Sequence, residues 1–399
     1  MTDLNKKLED LVSPGKTGSD YKTLKIADEW RPRMEVDPSN GGFLVSKLYT
    51  AADVPPAEQI LKDNNLNPAE WKVTGMRFSQ WERWDGELLT AFRVSFVPNL
   101  TNDIEEDLEA LTKEILKWKP AKTTANSSGD GAFVVAFSDQ QIGKRSGTQG
   151  TAEAVDRLLY LTGEAANRLK ELRKIGRKLG TVVFTLLGDH VEGNTSQHGK
   201  LQSQAASDLG MTEQVRVARR ILLQQIKTFA PLCDKLVVAV INGNHDEVTR
   251  QVHADPADGW NVDIASSVQD ICAENSSLSH VVFRYPQSNH QTLAVEVCGV
   301  TLGLFHGHQF SGDVVKYLSG QATGQTALGM ADIWLSGHYH HFQARDLGER
   351  LWLQAPTTDA GSAWYRDRRG LESKPGLLTL TVGEGFEPRR DISIITTTR

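Results

Sequence analysis

The chain has 399 residues, of which 39% are hydrophobic and 24% are charged, and its formal net charge at pH 7 is −6. This composition is typical of a globular protein with one large or two ordinary domains, and it does not indicate a generally basic surface for nucleic acid. No apolar stretch approaches the roughly 18 residues of a membrane-spanning helix, and the N-terminus has no apolar signal core, so we expect a cytoplasmic protein. Three widely spaced cysteines, Cys233, Cys272 and Cys298, fit reduced thiols better than a disulfide framework.

The first part of the chain is predicted to hold a tail and a small accessory domain. Residues 1–22 are predicted to form a short helix and a flexible tail, because Pro14-Gly15 would break a longer element. Residues 23–120 are predicted to form an α+β domain with two helices and two strands. The helices are expected over 56–64 and 102–118, and the strands over 71–83 and 88–97.

Two side-chain patterns mark this accessory domain. Phe92, Val94 and Phe96 alternate with Arg93 and Ser95, which predicts a strand with one buried face. Tryptophans are concentrated here, and we favour their use as large apolar anchors of a small core over stacking on nucleic-acid bases. A role of the domain in docking a partner or recognising substrate stays open. The tryptophans are Trp30, Trp71, Trp81, Trp84 and Trp118.

The rest of the chain is predicted to be a single α/β domain. Residues 121–131 are small and polar and form the best candidate linker. In residues 132–399, strand-like apolar runs alternate with long helices, of which the clearest are expected over 152–178 and 211–229. This alternation predicts a domain with central sheets.

Five apolar runs of this domain each end in polar side chains that can bind metal ions. Strand ends on a rigid sheet are positions where side chains can be held in a fixed constellation. The five endings, in chain order, are Ser138-Asp139-Gln140-Gln141, Gly188-Asp189-His190-Val191-Glu192, Gly243-Asn244-His245-Asp246, His306-Gly307-His308 and Gly337-His338-Tyr339-His340.

The order of these five motifs resembles that of the calcineurin-like metallophosphoesterases. The resemblance covers residues 131–399, about two thirds of the chain. Any one motif is a weak signal, but five in order after strand-like runs are specific. The resemblance implies a two-sheet β-sandwich flanked by helices, with a metal site at one edge of the sandwich, so we expect an α/β metallophosphoesterase fold with a small N-terminal α+β region.

The resemblance also implies a pair of divalent metal ions. Two such ions, roughly 3.5–4 Å apart, lower the pKa of a bridging water and hold the phosphoryl oxygens as charge shifts. Carried over by position, Asp189 bridges the two ions. Asp139, Gln141 and His340 complete one site, and Asn244, His306 and His338 complete the other.

His245 and Asp246 are the expected catalytic residues beside the metal pair. In the resembling family, the His of Gly-Asn-His lies next to the scissile phosphate, where it stabilises the transition state or protonates the leaving oxygen. Asp246 is then expected to hold the His245 imidazole in one tautomer and keep it protonated.

Gln141 departs from the family pattern, which usually has His at this position. A Gln side chain can bind a metal ion through its carbonyl oxygen, but it is a weaker donor than imidazole. We therefore expect weaker metal binding in this half of the site, and a preference for Mn²⁺, or Mg²⁺, over Zn²⁺.

The expected substrate is DNA. The chain lacks the Asp-Arg-Gly extension that protein serine/threonine phosphatases have after Gly-Asp, and its first three motifs resemble those of phage-type SbcD-like exo/endonucleases. Lys144 and Arg145 follow the first motif and are candidate substrate-binding residues. The segment 364–370 is cationic and aromatic, which suits a rim that binds a nucleic-acid strand.

Two other functions remain open, and so do the partners. The same motifs would serve a phosphodiesterase or phosphatase acting on small nucleotides, and a catalytically inactive scaffold is a further alternative. SbcD-like nucleases commonly work with a coiled-coil ATPase, which here would be a separate protein because the chain has no Walker motif. The sequence does not give the oligomeric state.

Overall fold

The computed structural model describes residues 28–37, 41–50, 56–68, 71–82, 86–98, 101–120, 129–145, 149–194, 207–249, 255–359, 370 and 374–397. The predicted N-terminal segment 1–22, most of the predicted linker and all of the segment 364–370 except Gly370 lie outside these residues. The chain divides into two compact units, Met1–Asp103 and Ile104–Arg399.

The first unit is an antiparallel sheet with one helix packed on it. The strand order is β1-β2-β5-β3, and β4 also pairs with β5. The elements are β1 Arg33–Asp37, β2 Gly41–Val45, β3 Tyr49–Thr50, α1 Ala57–Asp63, β4 Trp71–Glu82 and β5 Leu88–Pro98. Phe92, Val94 and Phe96 are buried in one cluster with Ile60 and Leu61 of α1, as their alternation in the sequence predicts.

The second unit contains the remaining helices and strands of the described residues. Its helices are α2 Thr101–Lys117, α3 Thr151–Lys174, α4 Met211–Phe229, α5 Trp260–Ala273 and α6 Val314–Thr323. The unit boundary falls within the first turn of α2, so this unit contains α2 from Ile104 onward. Its strands are β6 Gly131–Phe137, β7 Leu179–Leu186, β8 Lys235–Val240, β9 Val281–Arg284, β10 Leu293–Val297, β11 Val300–Leu304, β12 Ile333–Ser336, β13 Gln343–Leu347, β14 Arg350–Gln354, β15 Gly376–Gly383 and β16 Ser393–Thr396.

Two sheets form the centre of the second unit. One has six strands in the order β16-β15-β6-β7-β8-β9, and the other has five in the order β10-β11-β12-β14-β13. Val134 of β6 is buried in the same cluster as Leu335 of β12 and Leu353 of β14, so the two sheets pack face to face. This architecture confirms the predicted α/β fold with a two-sheet sandwich.

Helices cover both outer faces of the sandwich. Phe133 and Phe137 of β6, which alternate with the residues between the sheets, are buried with Leu161 of α3 and Leu222 of α4. On the far side, Trp334 of β12 is buried in a cluster with α6 residues. Among the described residues, no helix is both long and apolar enough to cross a membrane.

Helix α2 packs with the second unit. Leu111 and Ile115 are buried in the same cluster as the outer face of the six-stranded sheet. Asn275 closes the end of the helix, because its Nδ2 donates to the carbonyl oxygens of Ile115, at 2.5 Å, and Trp118, at 3.0 Å. The helix falls within residues 23–120, the range predicted for the accessory domain, and its apolar stripe packs on the six-stranded sheet.

The strand directions explain why the five motifs come together. Strands β6, β7 and β8 are parallel neighbours, and so are β11, β12 and β14 in the other sheet. The carboxyl ends of parallel strands lie at the same edge of a sheet, and ligands bind in the loops at that edge. The loops after these six strands therefore meet at one edge of the sandwich.

Candidate metal centre

Direct hydrogen bonds join the loops of the two sheets at this edge. The backbone N–H of His338, which follows β12, donates to Asp139 Oδ2 after β6 at 2.9 Å. The hydroxyl of Thr357, which follows β14, donates to the carbonyl oxygen of Asp139 at 2.7 Å. His306 Nδ1, after β11, lies 2.7 Å from the carbonyl oxygen of Leu187 after β7. The site is thus built from both sheets, and its parts hold each other in place.

Five of the predicted metal ligands have a left-handed backbone. This conformation is unfavourable by about 1–2 kcal/mol for a residue with a Cβ, and such residues cluster at functional sites. It turns the chain sharply in the loops that follow the strands. The φ values are 49° for Asp139, 44° for Gln141, 55° for Asp189, 73° for His338 and 63° for His340.

Asp189, His306 and His338 form a compact group of possible metal ligands. One ligand atom from each of the three side chains lies within 4.8 Å of the others. His306 Nε2 is 3.0 Å from Asp189 Oδ2, and the rings of His306 and His338 have centroids 5.1 Å apart. Asn244, the fourth predicted ligand of this half, is buried in the neighbouring loop, and its role stays a prediction.

The environment of His306 sets which ring nitrogen is available. Its Nδ1 faces the carbonyl oxygen of Leu187, which can only accept a hydrogen bond, so Nδ1 carries a proton. The lone pair of Nε2 then points to the Asp189 carboxylate in the neutral ring. Fixing the tautomer through a backbone carbonyl is the usual arrangement for a metal-binding histidine.

Asp139 and His340 form the other half of the predicted centre. Asp139 is fully buried, and its Oδ1 lies 3.2 Å from His340 Nε2. Its Oδ2 accepts from the backbone N–H of His338 and from the hydroxyl of Ser138. One carboxylate oxygen of Asp139 is therefore used to position the loops, and the other faces the His340 imidazole.

Gln141, the third predicted ligand of this half, is buried but its carbonyl oxygen is occupied by a cation of the protein. Lys144 Nζ donates to Gln141 Oε1 at 2.6 Å and to Asp359 Oδ2 at 2.5 Å. The side chains of Lys144 and Asp359 are only 13% and 6% exposed, so this ion pair is shielded from water. Lys144 lies inside the centre, whereas Arg145, the second predicted substrate-binding residue, is exposed.

His245 is next to Asp189, and its ring is held by Glu192. The backbone N–H of His245 donates to Asp189 Oδ1 at 2.8 Å. Its Nδ1 lies 2.7 Å from the carbonyl oxygen of Glu192 and 3.7 Å from the Glu192 carboxylate.

Asp246 does not hold the His245 ring, which corrects our expectation for this residue. Its Oδ2 accepts from the backbone N–H groups of Asp189 and Gly243, both at 2.7 Å. These two bonds tie the loop after β7 to the loop after β8. Asp246 is thus a positioning residue for the backbone that carries Asp189.

Two glycines of the motifs allow the loops to approach closely. A Cβ on Gly243 would lie 2.0 Å from Asp189 Oδ1, and a Cβ on Gly337 would meet the side chains of Ser138 and Asp139. No side chain other than hydrogen fits at either position. The glycines that open two of the motifs are therefore explained by contact with the carboxylates of other loops.

Burial and neighbouring charges shift the pKa values of the side chains in this centre. Burial by itself would raise the pKa of Asp139, but the nearby His340 and His306 lower it to about 2. Burial would lower the pKa of His306, but Asp189 and Asp139 raise it to about 10. Burial lowers the pKa of His338 to about 4, so this ring is neutral at pH 7 and free to donate its lone pair. Protons on imidazole balance the carboxylates here, and a bound cation would replace them.

The sequence analysis missed the loop after β14. This loop brings Thr357 onto the backbone of Asp139 and Asp359 onto Lys144. Arg157 of α3 also donates to this loop, at the carbonyl oxygen of Thr358, over 3.2 Å. A signal was present, because Thr357-Thr358-Asp359 follows the strand-like run Arg350–Gln354, as the five recognised motifs follow theirs.

No protein-family model matches the chain, and no curated protein matches it significantly. Several solved structures are similar to it in part. Wild-type Vps29 in complex with zinc, from Entamoeba histolytica, is similar over 63% of this chain and 87% of its own, at 15% identity and a TM-score of 0.29.

Two phosphoesterase-like structures give comparable values. A novel archaeal phosphodiesterase is similar over 66% of this chain and 99% of its own, at 14% identity and a TM-score of 0.32. A predicted phosphoesterase from Streptococcus pneumoniae TIGR4 is similar over 67% of this chain and 98% of its own, at 13% identity and a TM-score of 0.27. Because all of these TM-scores are below 0.5, the function of this chain has to be argued from its own side chains.

Proposed function

We propose that the protein is a metal-dependent phosphodiesterase of the calcineurin-like metallophosphoesterase type. The observation that carries this proposal is the meeting of Asp189, His306 and His338 at the edge of the two sheets. Asp139 and His340 lie beside them and extend the same donor set. A carboxylate with two imidazoles from different strands is the kind of donor set that binds a divalent transition metal ion.

Two buried atoms of the centre fit a cation. Asp139 Oδ1 and His306 Nε2 are buried, and neither has a hydrogen-bond partner within the described part of the chain. Each has a carboxylate or imidazole atom close by, but neither contact has hydrogen-bond geometry. Buried polar atoms are nearly always satisfied, so the carboxylates and imidazoles are arranged around a common point more than toward each other.

We propose two divalent ions, with Mn²⁺ preferred and Mg²⁺ as the alternative. The half with Asp189, His306 and His338 has the stronger donors, so it takes the first ion. The half with Asp139, Gln141 and His340 binds more weakly, because Lys144 competes for the oxygen of Gln141. Replacing Gln141 by His is expected to raise the affinity for Zn²⁺ relative to Mn²⁺, and titration calorimetry with each metal measures this preference.

The metal ions would supply the nucleophile and bind the phosphoryl oxygens. The protein itself supplies His245, whose ring is held through Nδ1 by Glu192, and Nε2 would then act on the substrate. Burial would lower the pKa of His245, but Asp189 and Glu192 raise it above its usual value, which favours the protonated ring. His245 therefore stabilises the charge on the phosphate or gives a proton to the leaving oxygen.

The proposed substrate is DNA, and the reaction is exo- or endonucleolytic hydrolysis of its phosphodiester bonds. Lys144 in the centre and Arg157 of α3, which donates to the loop after β14, would supply cationic side chains near the scissile phosphate. Hydrolysis of small nucleotides uses the same donors and is the alternative substrate class. A catalytically inactive scaffold has no need for a tautomer fixed at His306 or for His245 held beside Asp189, so catalysis is the stronger proposal.

A single assay separates these functions. Purified full-length protein is incubated with Mn²⁺ and either end-labelled linear DNA, single- and double-stranded, or bis-p-nitrophenyl phosphate. His245→Ala is the inactive variant, and His290→Ala, which changes an exposed histidine outside the centre, is its matched control. We expect both substrates to be cleaved by the wild type and by His290→Ala, and neither by His245→Ala.

The other outcomes change the proposal in defined ways. Cleavage of the small diester with intact DNA would move the assignment to a nucleotide phosphodiesterase. Equal activity of His245→Ala and wild type would remove His245 from the mechanism. Bound Mn²⁺ with no turnover of either substrate would contradict the enzymatic proposal for the isolated chain.

A further inference from the structure

A row of arginines crosses the sheet of the first unit. The strand registers pair Arg33 of β1 with Val45 of β2, Val45 with Arg93 of β5, and Arg93 with Arg77 of β4. Residues paired in this way lie side by side on the same face of a sheet. Three arginines, here called the arginine row, therefore span four adjacent strands, a distance of about 14 Å at the usual strand spacing.

The arginine row is on the face of the sheet opposite the core. Val94 and Leu44, the neighbours of Arg93 and Val45 along their strands, are buried in the cluster that includes helix α1. Because successive side chains of a strand point to opposite faces, the row faces away from this core. Arg33 and Arg77 are exposed, and Arg93 is half-buried.

Aromatic side chains lie on both sides of the arginine row. On one side, the guanidinium of Arg93 lies over the ring of Phe43 at 4.3 Å, and that of Arg33 lies over the same ring at 5.5 Å. On the other side, Trp81 is four residues from Arg77 along β4 and therefore on the same face. Trp30 contacts Trp81 edge to face, with ring centroids 6.2 Å apart.

The tryptophans of this region therefore serve two different purposes. Trp71 packs on the core side, where its ring meets Phe96 at 5.2 Å, as expected of an apolar anchor. Trp30 and Trp81 are only partly buried, and Trp81 lies on the face that carries the arginine row. The interpretation of the tryptophans as apolar anchors of the core accounts for Trp71. It does not account for Trp30 and Trp81, which are not part of that core.

We propose that this face binds single-stranded DNA. Exposed guanidinium groups attract phosphates and also stack on bases, and flat aromatic rings give bases a second surface on which to stack. The row is about long enough for two or three nucleotides. Glu35 lies on the same face next to Phe43, so the positive charge on this side of the row is limited by a carboxylate.

The choice of DNA rests on the proposed function, in which the same protein cleaves DNA. The choice of a single strand comes from the sheet itself. Stacking on Phe43 and Trp81 requires bases with exposed faces, and the bases of a duplex are already stacked on each other. The sheet would thus bind unpaired DNA, and this binding needs no metal ion.

Binding to this face is tested in EDTA, where the proposed hydrolysis cannot proceed. The probe is a fluorescein-labelled 15-nucleotide oligothymidine, and its anisotropy is measured with the full-length chain. Arg77→Ala removes one arginine of the row and the double variant Arg77→Ala/Arg93→Ala removes two of the three, whereas Phe43→Leu removes a flat ring while keeping an apolar side chain. Lys62→Ala is the matched control, because it removes one exposed charge from helix α1 on the core side of the sheet.

We expect the double variant and Phe43→Leu each to weaken binding about five-fold or more, and Lys62→Ala to have little effect. The slope of log affinity against log salt concentration should fall by about 0.7 for each phosphate contact removed. Binding should also quench tryptophan fluorescence in the wild type. Circular dichroism confirms that each variant is folded.

Three results would overturn the inference. They are unchanged affinity in the arginine variants, binding of duplex as tight as that of the single strand, and a preference for the same sequence in RNA. Failure of the DNA-binding proposal can be distinguished from failure of the proposed hydrolytic function. Hydrolysis of bis-p-nitrophenyl phosphate without binding in EDTA leaves the metal centre intact as a proposal, whereas binding without hydrolysis does the reverse.

Discussion

The two halves of the candidate metal centre are built from similar donors but are balanced by different positive charges. Around Asp189, the nearest positive charge is the proton of His306, which a metal ion can displace. Around Gln141, the positive charge is the ammonium group of Lys144, which is covalently part of the chain. The ammonium group of Lys144 already neutralises the half around Gln141, so a metal ion gains less by binding there. The two halves are therefore predicted to bind their metal ions with unequal affinity.

The largest expected effect comes from Asp189, which is predicted to bridge the two halves. Asp189→Asn keeps the shape of the side chain but removes its negative charge. We expect kcat/KM for bis-p-nitrophenyl phosphate to fall by more than about 100-fold, the upper end of the effect of residues that only orient ligands. Calorimetric titration with Mn²⁺ should show that binding in both halves is weakened.

The control for this variant is Asp332→Asn. It changes a carboxylate that accepts from the backbone N–H of Thr301, outside the centre. Its activity and Mn²⁺ binding should match the wild type. Tight binding of two Mn²⁺ ions by Asp189→Asn would contradict the assignment of Asp189 as the shared ligand.

The next effect tests the half around Asp189 through its backbone. Asp246→Ala removes the acceptor of two buried N–H groups, and we expect a loss of about 2–4 kcal/mol in the free energy of unfolding. Asp246→Asn keeps an acceptor oxygen and should lose less. Urea denaturation in EDTA measures both variants against the wild type.

The difference in stability between Asp246→Asn and the wild type should depend on pH. Burial and the adjacent Asp189 raise the pKa of Asp246 from 3.8 to about 7 in the folded protein. A raised pKa means that the folded state holds the proton more tightly, so the stabilisation is complete below pH 3.8 and is lost as the pH rises through 7. The stability of Asp246→Asn relative to the wild type should therefore increase between pH 4 and pH 7, and a flat difference would contradict the shift.

A smaller effect tests the half around Gln141. Lys144→Met removes the ammonium group and frees Gln141 Oε1, so the affinity for the second Mn²⁺ ion should rise about tenfold, the value of one charge-assisted hydrogen bond. Arg145→Met removes an exposed charge from the next residue and is the matched control. If both variants bind the second ion as the wild type does, the contrast between the two halves is wrong.

The smallest effect concerns the ring of His245. Glu192→Gln removes a negative charge that raises the pKa of this histidine, so the pKa should fall. If protonated His245 is the active form, the decline of kcat/KM at alkaline pH should begin at a lower pH in the variant. Glu213→Gln, which changes a glutamate at the start of α4, should leave the pH profile unchanged.

Much of the fold and of the centre could be predicted from the sequence. Apolar runs predict strands, and the polar residues after them, such as Asp139, Asp189 and His338, lie at the same edge because the strands are parallel. Helix α4 was predicted with the observed bounds, 211–229, because its apolar stripe has an unbroken helical period. These features depend on position along the chain, which the sequence gives directly.

The partners of the side chains could not be predicted in the same way. The spacing places Asp246 next to His245, but the rotamer turns its carboxylate to the backbone of another loop, and Glu192 takes its expected place. The contact of Lys144 with Asp359 spans 215 residues and no local pattern encodes it. Such contacts depend on how the two sheets pack, which is decided by the whole core.

The left-handed backbone at the site has a consequence for attempts to stabilise the protein. Nine non-glycine residues of the described chain have a positive φ, and five of them are predicted ligands. Glycine would suit the backbone at all five positions, but glycine has no donor atom. A search for stabilising substitutions that scores only the backbone conformation will therefore favour glycine at these positions and remove the predicted ligand atoms. Such a search is better directed to the outer helices.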